Sequence, residues 1–320
     1  MPDCHVTDND VNVNEQRITL PSVGQRSTSS SACSGEISIT SQADVDSGPI
    51  ASCTSIAGDL IFDNASGNIT FPSGRHTQLL SVDGSIYCRN NTGLEKLELY
   101  GVTSISGSVV VQNAASLVNL IAHQLRYVQS IEIMSVPQLI GVAFPEVGWI
   151  ESFEIGGSPI SGFNLAGGLG GLTSAGSFYI HDCLSLLGIG LLSLQNITEY
   201  FRVEDNGPDM EVALGIQWAN NLMLRNIQDI YLDHMVAVNG SMEISDSYNL
   251  TQISINTLKF VGANIYIENN PNLKFVGLQF LTSIGGSFIE TNNSALTSPG
   301  SFNDLQNIAS IELEGPFPSL

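Results

Sequence analysis

Glu132 and Glu154 hold the same place in two successive copies of one short phrase, Ser130-Ile-Glu-Ile and Ser152-Phe-Glu-Ile. If successive copies are neighbouring strands, these carboxylates stand about 4.8 Å apart, a separation that suits a retaining glycosidase. Any two same-face residues on adjacent strands share that spacing, so the pair alone does not make an enzyme. A second set could hold sugars without cleaving them. Tyr87, Tyr179 and Tyr266 offer flat rings for stacking on pyranoses, and Arg89, His181, Arg202 and Arg225 offer polar anchors beside them. Several copies of the phrase separate the tyrosines, which argues against one continuous pocket. Glu204 and Arg225 also share a place in consecutive copies and are expected to form a surface ion pair worth under ~1 kcal/mol. The chain contains no phosphate loop, G-x-S-x-G elbow, H-E-x-x-H pair or zinc-spaced Cys/His cluster, so neither a cofactor nor a metal is expected.

A repeat must position these residues. The phrase begins with a turn residue, alternates apolar and polar, and ends in Asn or Asp, returning about every 23 residues, a period typical of solenoids. Its second and fourth positions are apolar in most copies, as in Leu60 and Phe62, Val109 and Val111, Phe178 and Ile180, and Ile265 and Ile267. Strict alternation marks a half-buried strand with those positions facing the core. The third and fifth positions, among them Val110, Tyr179, His181 and Arg202, are then expected to face solvent. The sixth is Asn64, Asn90, Asn113, Asp182, Asp205, Asn226, Asp246, Asn269 or Asn292. Such side chains are expected to point inward, hydrogen-bond the turning backbone and stack as a ladder. The predicted fold is an all-β, right-handed parallel β-solenoid of leucine-rich-repeat-like coils. Its organisation is a polar, disordered leader over 1–31, a first half over 32–206 and a second over 207–320. The irregular stretch from Gly207 to Gly215 marks the joint.

A formal net charge of −21 makes nucleic acid and anionic membrane surfaces poor partners. At 42% hydrophobic and 13% charged residues the chain is not intrinsically disordered. No apolar run of about 18 residues spans a membrane. The leader lacks the basic start and apolar core of a secretory signal, and the end at Leu320 lacks an anchor signal, which reads as a truncated product. Five cysteines leave at least one unpaired. Cys33 and Cys53 bracket the first coil, and bridging them would be worth roughly 3 kcal/mol. Cys4–Cys88 is an alternative pairing, while Cys88 and Cys183 otherwise read as buried thiols.

Ala32-Cys-Ser-Gly-Glu-Ile-Ser-Ile, Ala51-Ser-Cys-Thr-Ser-Ile-Ala-Gly-Asp-Leu and Gln217-Trp-Ala-Asn-Asn-Leu-Met-Leu-Arg-Asn together resemble the receptor-L-domain-like, GPI-anchored cell-wall organisation and sporulation-specific wall proteins of fungi. The likeness covers residues 32–320 and includes that family's opening Cys pair. It implies an extracellular, N-glycosylated protein at the cell wall or outer face of the plasma membrane, held by a lipid anchor. The implied role is non-enzymatic wall organisation, including that of the ascospore wall, with wall polysaccharide or wall proteins as partners. Other readings are a carbohydrate-active or glycan-binding solenoid and a receptor-like ectodomain for a protein ligand. Seven N-x-S/T sites occur. Asn68, Asn196, Asn239 and Asn249, placed between strands, are expected to carry glycans; Asn64, Asn90 and Asn292, on the inward sixth position, are not.

Overall fold

The computed structural model describes residues 31–72, 79–160 and 168–316. These described residues are 46% strand and 4% helix, wound into about 11 turns of a parallel β-solenoid. One side of every coil joins an 18-stranded main sheet; the opposite side builds smaller sheets of four, three and two strands. Main-sheet pairing crosses the 207–215 region directly, since Asn196–Glu204 pairs with Trp218–Arg225. Cys4 and the stretch 1–30 lie outside the described residues.

Register explains the core. The second position forms one column, in which Ile131, Phe153, Phe178, Phe201 and Leu222 follow one another across paired strands. Phe153 and Phe178 stack at 4.7 Å between ring centroids, and Phe178 and Phe201 at 5.3 Å. Identical side chains in identical places stack because neighbouring coils are rotated so little. The fourth position forms a second column that includes Phe62, Cys88, Val111, Ile133 and Ile180, all fully buried. At the first coil, Cys33 and Cys53 form the disulfide, with Cα atoms 5.7 Å apart, and pack into the core with Val45 and Ile50. Cys88 and Cys183 are free and buried, and burial pushes their thiols up to about 12 and about 11.

The sixth position overturns the inward-amide expectation. Asn64, Asn90, Asn113, Asp182, Asp205, Asn226, Asp246, Asn269 and Asn292 all adopt φ between 49° and 58°, the left-handed region. Asn and Asp tolerate that region better than other side chains, which is why they recur there. Most of them are exposed, and they link along the surface: Asn113 Nδ2 donates to Asn90, Asn269 to Asp246 and Asn292 to Asn269. The inward ladder belongs to the seventh position. Buried Asn206, Asn270 and Asn293 each accept from the backbone N–H of the seventh residue one coil earlier and donate to a carbonyl of that coil. Ser158 and Ser247 accept from the preceding coil in the same way, through the Val136 and Ile227 N–H groups, but each hydroxyl donates within its own coil, to the Gly156 and Ser245 carbonyls.

Two further expectations change. Val110 faces outward between Tyr87 and Glu132 in register, yet is only 6% exposed, because longer neighbours cover it. Asn68 and Asn196 lie within strands, Ser66–Phe71 and Asn196–Glu204, rather than between them.

One fourth-position residue breaks the apolar column. Glu290 sits between Ile267 and Leu313, is fully buried, and neither carboxylate oxygen has a hydrogen-bond partner of normal geometry. Burial pushes its pKa up to about 7, against a weaker pull from the Gly300 backbone amide. With the folded value above the unfolded one, the native state disfavours the carboxylate. The cost is absent at acid pH, grows as pH rises from the ordinary carboxylate range towards 7, and is complete above it. Glu290→Gln should therefore stabilise the protein at pH 8 and do so little at pH 4, read from urea midpoints at both. A pH-independent difference would contradict the assignment.

Candidate binding face

The centre of the main sheet holds a polar cluster built from three consecutive strands, Ser174–His181, Asn196–Glu204 and Trp218–Arg225. Alternation turns Tyr179 and His181 outward from one strand, Arg202 and Glu204 from the next, and Arg225 from the third. Register sets Tyr179 beside Arg202 and His181 beside Glu204. The rings of Tyr179 and His181 stack at 4.3 Å, and the Arg202 guanidinium lies 4.9 Å from the centre of the Tyr179 ring. Gly156 makes this packing fit, because a Cβ there would meet the His181 ring at 2.3 Å.

Glu204 ties the cluster together. It accepts from the Tyr179 hydroxyl at 2.5 Å, pairs with Arg202 at 2.5 Å and faces Arg225 at 3.6 Å. The expected Glu204–Arg225 pair is present, but not as a surface pair: Glu204 is buried, with the Arg202 and Tyr179 contacts enclosing it. Burial alone would raise its carboxyl. The hydrogen bonds from Arg202 and Tyr179 and the two guanidinium charges outweigh that and hold it below the usual carboxylate range. For Tyr179, burial and then the Glu204 carboxylate push the phenol upward, so it stays a donor. Arg225 continues the network to Glu243 at 2.6 Å and Asp246 at 3.9 Å. At the other end, His181 reaches Glu154 at 3.3 Å and Asp182 at 2.8 Å.

Of the seven residues expected on a ligand face, Tyr179, His181, Arg202 and Arg225 meet here. Tyr87 and Arg89 do not: they lie four strands away, about 19 Å. There Arg89 stacks 4.4 Å above the Tyr87 ring, beside an open hollow of about 480 Å³ lined also by Glu36, Asp59 and Asp63. Tyr266 lies four strands away in the other direction, its hydroxyl accepting from Asn264 at 2.8 Å. Glu132 and Glu154 are register partners as expected, yet each is engaged, Glu132 by Gln112 and Glu154 by His181. Among the described residues, no group of three or more His, Cys, Asp or Glu side chains could hold a metal ion. No helix there is long and apolar enough to cross a membrane.

No family model and no solved structure matches the chain. Several curated proteins do. It is 24% identical to sporulation-specific protein 22 of Saccharomyces cerevisiae, over 84% of this chain and 57% of that protein. It is 25% identical to cell wall protein ecm33 of Schizosaccharomyces pombe, over 88% of this chain and 60% of that protein. To protein ecm33 of Aspergillus fumigatus it is 24% identical, over 79% of this chain and 61% of that protein. The chain is a homologue of these fungal cell wall and sporulation proteins. It spans little more than half the length of these relatives.

Sequence reading paired Glu204 with Arg225 but missed that Glu243 and Asp246 join the site. Their signal was present, since Glu204, Arg225 and Ser245 share the fifth position and Arg202, Met223 and Glu243 the third. Alternating acidic and basic residues down adjacent columns mark a cross-strand network.

Proposed function

We propose that this homologue is a non-enzymatic, extracellular protein of the fungal-type cell wall. Its main-sheet face is the surface that contacts wall polysaccharide. The lipid anchor and outer plasma-membrane location implied by the family resemblance belong to the same proposal. The observation that carries it is the central cluster, a tyrosine ring fixed between a histidine and an arginine on a broad, rigid sheet. Preorganised aromatic and guanidinium groups of this kind bind an uncharged polyol with little ordering cost. The relatives named as cell wall proteins support the setting. The carboxylates that a glycosidase would need free, Glu132 and Glu154, are already hydrogen-bonded to neighbours.

Co-sedimentation with insoluble β-glucan, chitin and mannan tests this reading. Retention on one of them should fall at least about tenfold, roughly 1.4 kcal/mol, in Tyr179→Ala and Arg202→Ala, while Tyr231→Ala on the opposite side leaves it unchanged. Retention on none of the three, together with saturable binding of a wall protein, would replace polysaccharide by a protein partner.

A further inference from the structure

The other half of the main sheet carries an outward row distinct from the central cluster. In register it runs Trp149, Ser174, Asn196, Trp218, Ala237 and Phe260. Inward Ile150, Ile197, Ala219 and Val261 alternate with it, so the row lies on the outer face, where Trp149, Asn196, Trp218 and Phe260 are exposed and Ala237 is buried. Trp149 and Trp218 are 41% and 47% exposed, large apolar areas on either side of Ser174 and Asn196, and Phe260 is exposed farther along the row. Asn196, the first residue of the sequon Asn196-Ile-Thr198, stands between them. Its strand neighbour is Trp218, about 4.8 Å away, and Trp149 lies two strands off on the other side, about 10 Å.

The Asn196 side chain is exposed, and no hydrogen bond engages its amide nitrogen. Asn249 differs, since its Nδ2 donates to the Pro208 carbonyl and to Asp209. Asn68 and Asn239 are exposed as well, but neither has an aromatic register partner: Asn68 pairs with Lys96, and Asn239 follows the strand Ala237–Val238. The sixth-position sites Asn64, Asn90 and Asn292 are exposed too, so an inward amide does not exclude glycans there.

We infer that Asn196 is an N-glycosylation site whose first β-1,4-linked N-acetylglucosamine residues lie on the Trp218 indole. The apolar C–H face of a pyranose covers an indole ring well. In the transfer step, Asn196 Nδ2 bonds to the anomeric carbon as that carbon's bond to a lipid-linked diphosphate donor breaks. The donor leaves as the diphosphate, and one amide proton passes to the transferase's base. A free chitin chain offers the same sugar chemistry. The covalent source is favoured because the sequon places its attachment point within the row, one strand from the ring. This rests on the extracellular reading of the protein.

The test uses the full chain secreted from yeast behind an added signal peptide, as wild type, Thr198→Ala, Trp218→Ala and the double variant. Glycopeptide mass spectrometry should find Asn196 occupied in wild type and Trp218→Ala. Loss of the glycan in Thr198→Ala should lower the thermal midpoint by about 2 °C or more and raise the oxidation rate of Trp218. The same loss in the Trp218→Ala background should leave the midpoint nearly unchanged. An unmodified Asn196, or equal midpoint losses in both backgrounds, overturns the inference. So does saturable, Trp218-dependent binding of chitohexaose to secreted protein with Asn196 bare. The co-sedimentation assay on Tyr179 variants is independent of these readouts, so failure of the wall-binding proposal is separately visible.

Discussion

Leu224→Asp should destabilise the protein by about 4 kcal/mol or more, and Met223→Asp, one residue earlier, by about 1 kcal/mol or less. Leu224 is fully buried in the fourth-position column, between Val203 and Ile244. A carboxylate there loses its hydration and meets only hydrocarbon. Protonating it removes the charge but leaves an unpaired polar group. Met223 faces outward between Arg202 and Glu243, so a carboxylate there keeps solvent and gains a guanidinium neighbour. Urea denaturation of both variants measures the contrast. Equal losses would mean that the inside and outside of the main sheet are wrongly assigned.

Asn270→Ala is expected to cost about 2–6 kcal/mol, because it strands two buried backbone groups at about 1–3 kcal/mol each. These are the Ser247 N–H, which donates to Asn270 Oδ1 at 3.0 Å, and the Ile244 carbonyl, which accepts from Nδ2 at 3.0 Å. Asn269→Ala should cost about 1 kcal/mol, the penalty for a Cβ in the left-handed region, since Asn269 has φ 58°. Asn269→Gly should cost less than Asn269→Ala, because glycine adopts that region freely. Were Asn269→Gly as damaging as Asn270→Ala, the sixth residue would have to carry the inward hydrogen bonds after all.

The period-two pattern made the core columns legible, because each strand's alternation is complete within five residues. The Cys33–Cys53 bridge was legible for a similar reason: both cysteines flank one coil. The turn was harder to read. In the doublets Asn90-Asn91, Asn269-Asn270 and Asn292-Asn293, either amide could have been the inward one, and composition does not distinguish them. Backbone conformation does, since the first of each pair is left-handed and the second is buried. The exposure of Val110 and Glu204 was also hidden, because on a wide sheet it depends on the length of neighbours one coil away. The central cluster was half visible: Tyr179, His181 and Arg202 were expected on the face, whereas their closure around Glu204 required the register between strands.

The most direct test is a time course of reducing ends released from isolated wall glucan, chitin and mannan by protein that is bound to them. A binding face without catalysis predicts that the protein remains on the polysaccharide and that reducing ends stay at the level of the protein-free control. Release of reducing ends that Glu132→Gln or Glu154→Gln abolishes would contradict it and make the register-paired carboxylates a catalytic pair.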